Sequence, residues 1–252
     1  VLAARLFGKK TMLRIGGDFL WESYVERTKD LIPLSKFYLQ KLNLSLKERI
    51  IFSFTRYILK KSDALIFNSA WQKDIFQKPY ELNRSRVYTV HNYFASKEES
   101  RFPEKKNFIW AVRPIVIKNG EKLKSAFEKA RAVQRDISLD TEVLPHEKLM
   151  EKIRSSYAVI LPSISDISPN LILDAVRFNK PFIVTKETGL YEILKDIGLF
   201  VDPLSEEDIK EKILFLADEK NYKMLQDKMK VFNYTHSWSQ VTEEILEIYR
   251  KI

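Results

Sequence analysis

Apolar and polar positions follow two periods along this chain, and the switch between them is sharpest from Tyr157 to Thr188. Tyr157 to Leu161 is a short continuous apolar run, the pattern of a strand buried on both faces. It stops at Pro162, a polar segment SISDIS follows, and from Leu171 to Phe178 apolar residues recur at helical spacing. Pro169 stands near the start of that helix, where its missing N–H costs nothing. Asn179, Lys180 and Pro181 end the helix, and Phe182-Ile183-Val184 opens a second strand. The unit is strand, loop, helix, strand. In an open parallel sheet such a loop lies at the carboxyl edge, where ligands bind.

The rest of the chain repeats this alternation. KKTMLRI, DALIFNS and RVYTV read as strands of a front half, NFIWAV, ISLDTEV and LFVDP as strands of a back half. A helix over 1–7 is stopped by Gly8, a capping box at Ser45 to Glu48 opens one reaching Lys61, and Trp71 to Phe76 starts another. In the back half helices begin near Gly120, at Pro145 and at Tyr191, and the chain ends in three more. With no hairpin signal between strands, the class is α/β with parallel sheets. Met224, Met229, Phe232, Trp238 and Tyr249 recur on the last helices and are expected in the core. The charged stretch ASKEESRFPEKK reads as a linker, which gives a partial amino-terminal domain over 1–98, a linker over 99–106, a second domain over 107–235, and a terminal helix over 236–252 that packs back on the first.

Charge sharpens this division. The formal charge is +9; residues 1–104 hold 19 Lys and Arg against 11 Asp and Glu, a net of +8, and residues 105–252 hold 24 against 23, a net of +1. Residues 30–44, with Leu31, Ile32, Leu34, Phe37, Tyr38, Leu39 and Leu42 among lysines, read as an amphipathic patch for an anionic membrane surface or as a lid helix packed on its own domain. There is no cysteine, so no disulfide and no thiolate site, in keeping with a cytoplasmic protein that touches the inner membrane face peripherally. No run spans a bilayer, and no recognised nucleic-acid module accompanies the basic half. Nor is there a Walker loop, dinucleotide fingerprint or metal-ligand cluster, so neither cofactor nor metal is expected.

Candidate chemistry gathers at strand ends. Arg113 and Lys118 flank a strand-to-helix loop and suit a diphosphate, one as a fork and the other as a mobile point charge. Asp166 lies in the SISDIS loop, and Asp174 eight positions on in the helix; they can take two ligand hydroxyls, or be a solvated loop acid and a helix acid placed by the dipole. Gly189, with Glu192 in the turn after it, forms another strand-to-helix turn at the same edge. Gly16, Gly17 and Asp18 follow the first strand and make either a tight turn or a close approach to a ligand. His91, followed by Asn92, sits at a strand end, either facing a ligand or serving structure.

Taken together, SDISPNLILDAVRFNKPFIVTKETGLYEILKDIGLFVDPLSEEDI resembles the donor-binding region of retaining glycosyltransferases of the GT-B fold, family 4, the "group 1" enzymes. The resemblance implies two Rossmann-like domains, the amino one incomplete, and transfer of a sugar from a nucleotide-diphosphate sugar to a glycan or glycolipid acceptor with retention of configuration. It assigns Asp166 to the transferred sugar, Asp174 to the ribose, Arg113 and Lys118 to the diphosphate, and the backbone of Ser168, Pro169 and Asn170 to sugar and phosphate. DALIFNS and VYTVHNYF resemble segments of the family's amino domain, which puts Gly16, Gly17, Asp18, His91 and Asn92 on the acceptor side. The family has Glu where this chain has Asp166 and Asp174. The usual acceptor-side His is replaced by Gly16-Gly17-Asp18, a Gly is missing after Asn92, and one strand-helix unit of the second domain and the first strands of the amino domain are lacking. A nucleotide-sugar epimerase of the same fold and a non-catalytic nucleotide-sugar-binding protein are the alternatives.

Overall fold

The computed structural model describes residues 1–252, apart from the side chain of Leu2. The chain forms two compact units, residues 1–93 with 236–252, and residues 94–235.

In the first unit three parallel strands, β1 (Met12–Ile15), β2 (Ala64–Phe67) and β3 (Val87–Thr89), pair in the order β1-β2-β3. Its helices are α1 (Leu2–Leu6), α2 (Phe19–Thr28), α3 (Leu34–Phe37), α4 (Leu46–Lys61) and α5 (Ala70–Gln77). The central strand is buried throughout, and its alternate residues feed two cores. Leu65 and Phe67 join Leu59, Phe76 and Tyr80 on one face; Ala64 and Ile66 join Val241 and Ile248 of the terminal helix on the other. The helix of 46–61 carries the capping box read from Ser45 and Glu48. Residues 30–44 do not make a long helix. They hold only the single turn α3, whose Leu34 and Phe37 are fully buried, Phe37 edge-on to Tyr24 of α2, while Leu39 is 76% exposed, so their apolar residues do not form one continuous face.

The second unit is a five-stranded parallel sheet of β4 (Lys106–Ile109), β5 (Ile137–Asp140), β6 (Ala158–Leu161), β7 (Phe182–Thr185) and β8 (Leu199–Val201), in the order β5-β4-β6-β7-β8. Its helices are α6 (Gly120–Val133), α7 (His146–Ser155), α8 (Asn170–Arg177), α9 (Tyr191–Leu194), α10 (Glu206–Ala217) and α11 (Glu219–Val231). β6 and β7 are buried on both faces, as their apolar runs require. Residues 95–104 lie along this unit: the Glu98 carboxylate pairs with Arg154 and Arg177, and the Arg101 amide donates to the Arg154 carbonyl.

The last helices bury less than their composition promised. Met229 is fully buried and Phe232 packs half-buried on the core, but Met224, Trp238 and Tyr249 are exposed. Only one stripe of each helix turns inward, Tyr222, Leu225 and Met229 on α11, and Val241 and Ile248 on α12 (Trp238–Lys251). Trp238 instead stacks on Tyr93, ring centroids 5.3 Å apart.

Candidate donor site at the carboxyl edge of the five-stranded sheet

The strand order creates the site. From β4 the chain crosses to β5 on one side, then returns to β6 on the other, so the loops after β4 and β6 part company at their carboxyl ends. That divergence is a switch point, where open parallel sheets leave a crevice.

The loop after β4 runs through Arg113 to a tight helical turn, Val116–Lys118, and enters α6 at Asn119. Asn119 is left-handed, φ 59°, and its buried amide donates to the Pro162 carbonyl at 2.9 Å and the Pro203 carbonyl at 2.8 Å. The Ile164 amide donates to the Ile117 carbonyl at 2.8 Å. These bonds tie the loop after β4 to the loop after β6. On the other side the Asp166 amide donates to the Glu187 carbonyl at 2.9 Å and the Gly189 amide to the Asp166 carbonyl at 3.3 Å, so the loops after β6 and β7 continue the sheet's parallel pairing for one more step.

Lys118 and Asp166, on opposite banks of the switch point, meet: Nζ donates to Oδ2 at 2.6 Å, with side chains one-fifth and about one-eighth exposed. Arg113 is exposed and its guanidinium holds no acid. Asp174 projects from α8 half-buried; burial pushes its carboxyl above the ordinary value, opposed by the charges of His146 and Arg177, and it accepts no hydrogen bond from the described residues. Ser168 is half-buried, Pro169 is buried as the residue before α8, and Asn170 is exposed at its first position. Gly189 lies beside the Asp166 backbone, whereas Glu192 faces solvent and pairs with Lys195 of its own turn at 2.9 Å.

Two helix starts complete the edge. Side chains of Asp18, Ser45, Ser69, Ser205, Asp218 and Ser237 cap α2, α4, α5, α10, α11 and α12. α6 and α8, like α1, α3, α7 and α9, have no side-chain cap; in α8 the Ile172 amide donates to the Pro169 carbonyl at 3.0 Å, and the Asn170 and Leu171 amides precede it.

Sequence reasoning missed three residues here. Trp110, Ser163 and Glu187 follow β4, β6 and β7 by one or two positions, and each holds a buried polar atom, Nε1, Oγ and Oε2, with no hydrogen-bond partner. Unpaired buried polar atoms are uncommon and call for a reason, and these three follow the ends of three neighbouring strands. Only the position just past a strand end could have flagged them. Trp110 also explains Gly120: a Cβ there would lie 2.5 Å from the indole Cη2. Gly120→Ala is therefore expected to destabilise the chain by about 1–3 kcal/mol through overpacking, seen as a lowered denaturant midpoint.

The acceptor-side residues named from the sequence lie in the first unit. Gly16 and Gly17 have ordinary negative φ, and a Cβ at either meets at most one side-chain atom, 3.2 Å away at Gly17. They form a turn that any residue's backbone could follow. Asp18 is buried, 3% exposed: it caps α2 by accepting from the Trp21 amide at 3.1 Å, and Oδ2 accepts from the Tyr38 hydroxyl at 2.7 Å. The Asn92 carboxamide oxygen accepts from Arg14 at 3.0 Å, and the Asn92 carbonyl contacts His236 Nδ1 at 3.1 Å. His91 keeps a buried, unpartnered Nδ1, and burial, with the charge of His236, pushes its imidazole below the ordinary value. Among the described residues no cluster of His, Asp and Glu could hold a metal ion.

Neither a protein-family model nor a curated protein matches the sequence. Solved structures do match. Sucrose-phosphate synthase from Thermosynechococcus elongatus superposes with a TM-score of 0.69 at 13% identity, over 99% of this chain and 70% of that one. HepE from Anabaena, in complex with UDP-glucose, gives 0.71 at 11% identity, over 100% and 75%. WaaG, a glycosyltransferase involved in lipopolysaccharide biosynthesis, gives 0.64 at 14% identity, over 94% and 74%. The architecture is that of the GT-B glycosyltransferases, which the resemblance of the sequence led one to expect, and the chain spans roughly three-quarters of the length of these neighbours.

Proposed function

We propose that this chain binds a nucleoside-diphosphate sugar at the carboxyl edge of the five-stranded sheet and transfers the sugar to a glycan or glycolipid acceptor with retention of configuration, as a family 4 enzyme. The observation that carries the reading is the 2.6 Å meeting of Lys118 and Asp166 across the switch point, beside the unpaired Arg113 and two uncapped helix starts. An arginine and a lysine on one strand-to-helix loop that leads into an uncapped helix suit a diphosphate. The neighbouring carboxylates suit hydroxyls, Asp166 those of the sugar and Asp174 those of the ribose.

In this reading Lys118 changes partner. In the structure its ammonium neutralises Asp166; a diphosphate bound beside it would compete for the ammonium and leave Asp166 to accept from sugar hydroxyls. As the bond between the anomeric carbon and the diphosphate breaks and the acceptor oxygen bonds to that carbon, negative charge grows on the leaving oxygen, where Lys118 and Arg113 counter it. The backbone pairing of Asp166 to Glu187 and Gly189 fixes the carboxylate's origin, so positioning is supplied before the substrate arrives. No cofactor or metal is assigned a part.

Calorimetry tests the site. Arg113→Ala and Lys118→Ala are each expected to weaken nucleoside-diphosphate binding by about 1.5–3 kcal/mol and leave the parent nucleoside unaffected. Equal losses for both ligands overturn the diphosphate assignment. A panel of nucleotide-sugars followed by mass spectrometry tests the activity; donor binding with neither transfer nor hydrolysis leaves a binding protein, and sugar conversion without any acceptor points to an epimerase.

A further inference from the structure

The chain leaves the first unit after Tyr93 and re-enters it at His236, so the segment that follows β3 and the start of α12 both belong to that unit. Side chains fasten the two together. His236 is buried, with Nδ1 3.1 Å from the Asn92 carbonyl oxygen and Nε2 3.0 Å from a carboxylate oxygen of Glu244, further along α12. Trp238, at the first position of α12, stacks on Tyr93 with the ring planes 3° apart. Arg14 of β1 holds the same segment, its Nη2 donating to the His91 carbonyl at 3.2 Å and to the Asn92 carboxamide oxygen at 3.0 Å.

The partners of His236 fix where its protons must be. A carbonyl and a carboxylate only accept, so both bonds form only when both ring nitrogens carry hydrogen and the ring is an imidazolium. A cation just before a helix start meets the positive end of the helix dipole, so Glu244 supplies the countercharge. His91 is placed the opposite way. Its Nδ1 is buried without a partner and its other ring nitrogen donates to the Asn68 backbone carbonyl, which fits a neutral ring. Burial and the charge of His236 both hold the His91 imidazole below the ordinary value, and the Glu244 charge opposes them. Arg14, His91 and His236 thus face one carboxylate, that of Glu244.

We propose that His236, as an imidazolium, is a pH-sensitive clasp that ties the point where the chain leaves the first unit to the point where it returns. Imidazole is the side chain that ordinarily changes charge between about pH 5 and 8. When the ring loses a proton, one donor is gone and a bare nitrogen faces an oxygen that only accepts, so one of the two bonds is lost. The rest of α12 stays seated, because Val241 and Ile248 lie in the core with Ala64 and Ile66. Loosening is therefore confined to residues 90–93 and the first turn of α12. The proposal does not depend on the donor site.

Hydrogen exchange of the full chain, corrected for the intrinsic pH dependence of amide exchange, tests it. Amides of residues 90–93 and 237–241 are expected to exchange at least about tenfold faster at about pH 8 than at about pH 5.5, while those of β6 and β7 keep one rate. Nitrogen NMR of the His236 ring should show both nitrogens protonated at the lower pH. His236→Gln, which cannot carry the charge, is expected to exchange fast in these segments at both pH values. Glu244→Gln offers Nε2 either an oxygen or an N–H, suits both ring forms, and should abolish most of the pH dependence. Exchange in the parent chain that does not change with pH, or a bare His236 nitrogen at about pH 5.5, overturns the proposal. So does a pH dependence that persists in His236→Gln, since another group then carries it.

Discussion

Asp166→Ala is expected to lower kcat on an identified donor by about 100- to 1000-fold, the range seen when one preorganised contact to a transition state is lost. The structure makes the expectation sharper than loss of a carboxylate alone. The Asp166 backbone is held by its bonds to Glu187 and Gly189 of the loop after β7, which do not depend on Lys118, so its removal takes away a group already in place. It also releases Lys118 toward the diphosphate, so affinity for a nucleoside diphosphate should hold or rise while turnover collapses. Asp174→Ala should behave differently. That carboxylate is half-buried, accepts nothing from the described residues, and is assigned to a ribose remote from the breaking bond. Its loss should raise KM with kcat little changed. Steady-state kinetics of the two variants on one donor decide the matter; wild-type turnover by Asp166→Ala would remove it from the chemistry.

The second large effect concerns stability and lies in the first unit. Burial raises the Asp18 carboxyl to about 6, against the lowering effect of its hydrogen bonds from Tyr38, Trp21 and Leu20. Burial of the Tyr38 phenol, with the nearby Asp18 charge, pushes its own ionisation far up, so it stays a donor, and its hydroxyl also lies 2.7 Å from that of Tyr80. With the folded pKa above the unfolded value, the folded state holds this proton while the unfolded state has released it. Stability from this group is therefore full below pH 3.8 and is lost as pH rises to about 6, a change of about 3 kcal/mol. Asp18→Asn keeps an oxygen to cap α2 and an amide to meet the Tyr38 oxygen, but cannot ionise. It is expected to stabilise the chain at pH 7 by up to about 3 kcal/mol and to flatten the slope between pH 4 and 6. Denaturant titrations across that range check this, and an unchanged slope in the variant would show that Asp18 does not titrate there.

Secondary structure was largely legible in the chain because its signals are local. The capping box at Ser45 and Glu48, the apolar runs of β6 and β7, and the helix beginning near Gly120 each need only a few neighbouring residues. For the same reason Lys118, Asp166 and Asp174 could be picked out by their places after strands and within a helix. What lay beyond local pattern was which faces end up inside. Residues 30–44 and α4 both mix apolar with basic residues, yet Leu34 and Phe37 are buried while Leu39, Leu46, Ile50 and Phe54 face out. Periodicity gives the side of a helix, not what covers it.

By itself, then, the sequence determined the alternation of strands and helices, the parallel class, and the residue types standing at the strand ends. Tertiary packing alone brings Lys118 and Asp166, 48 positions apart, to 2.6 Å, and leaves polar atoms of Trp110, Ser163 and Glu187 buried and unpaired past three strand ends. It likewise turned Asp18 from an acid after a glycine pair into a buried cap. The reason is that strand order comes from packing the whole sheet. The reversal between β4 and β6 that opens the crevice arises from which strands lie side by side, and no single segment encodes its neighbours.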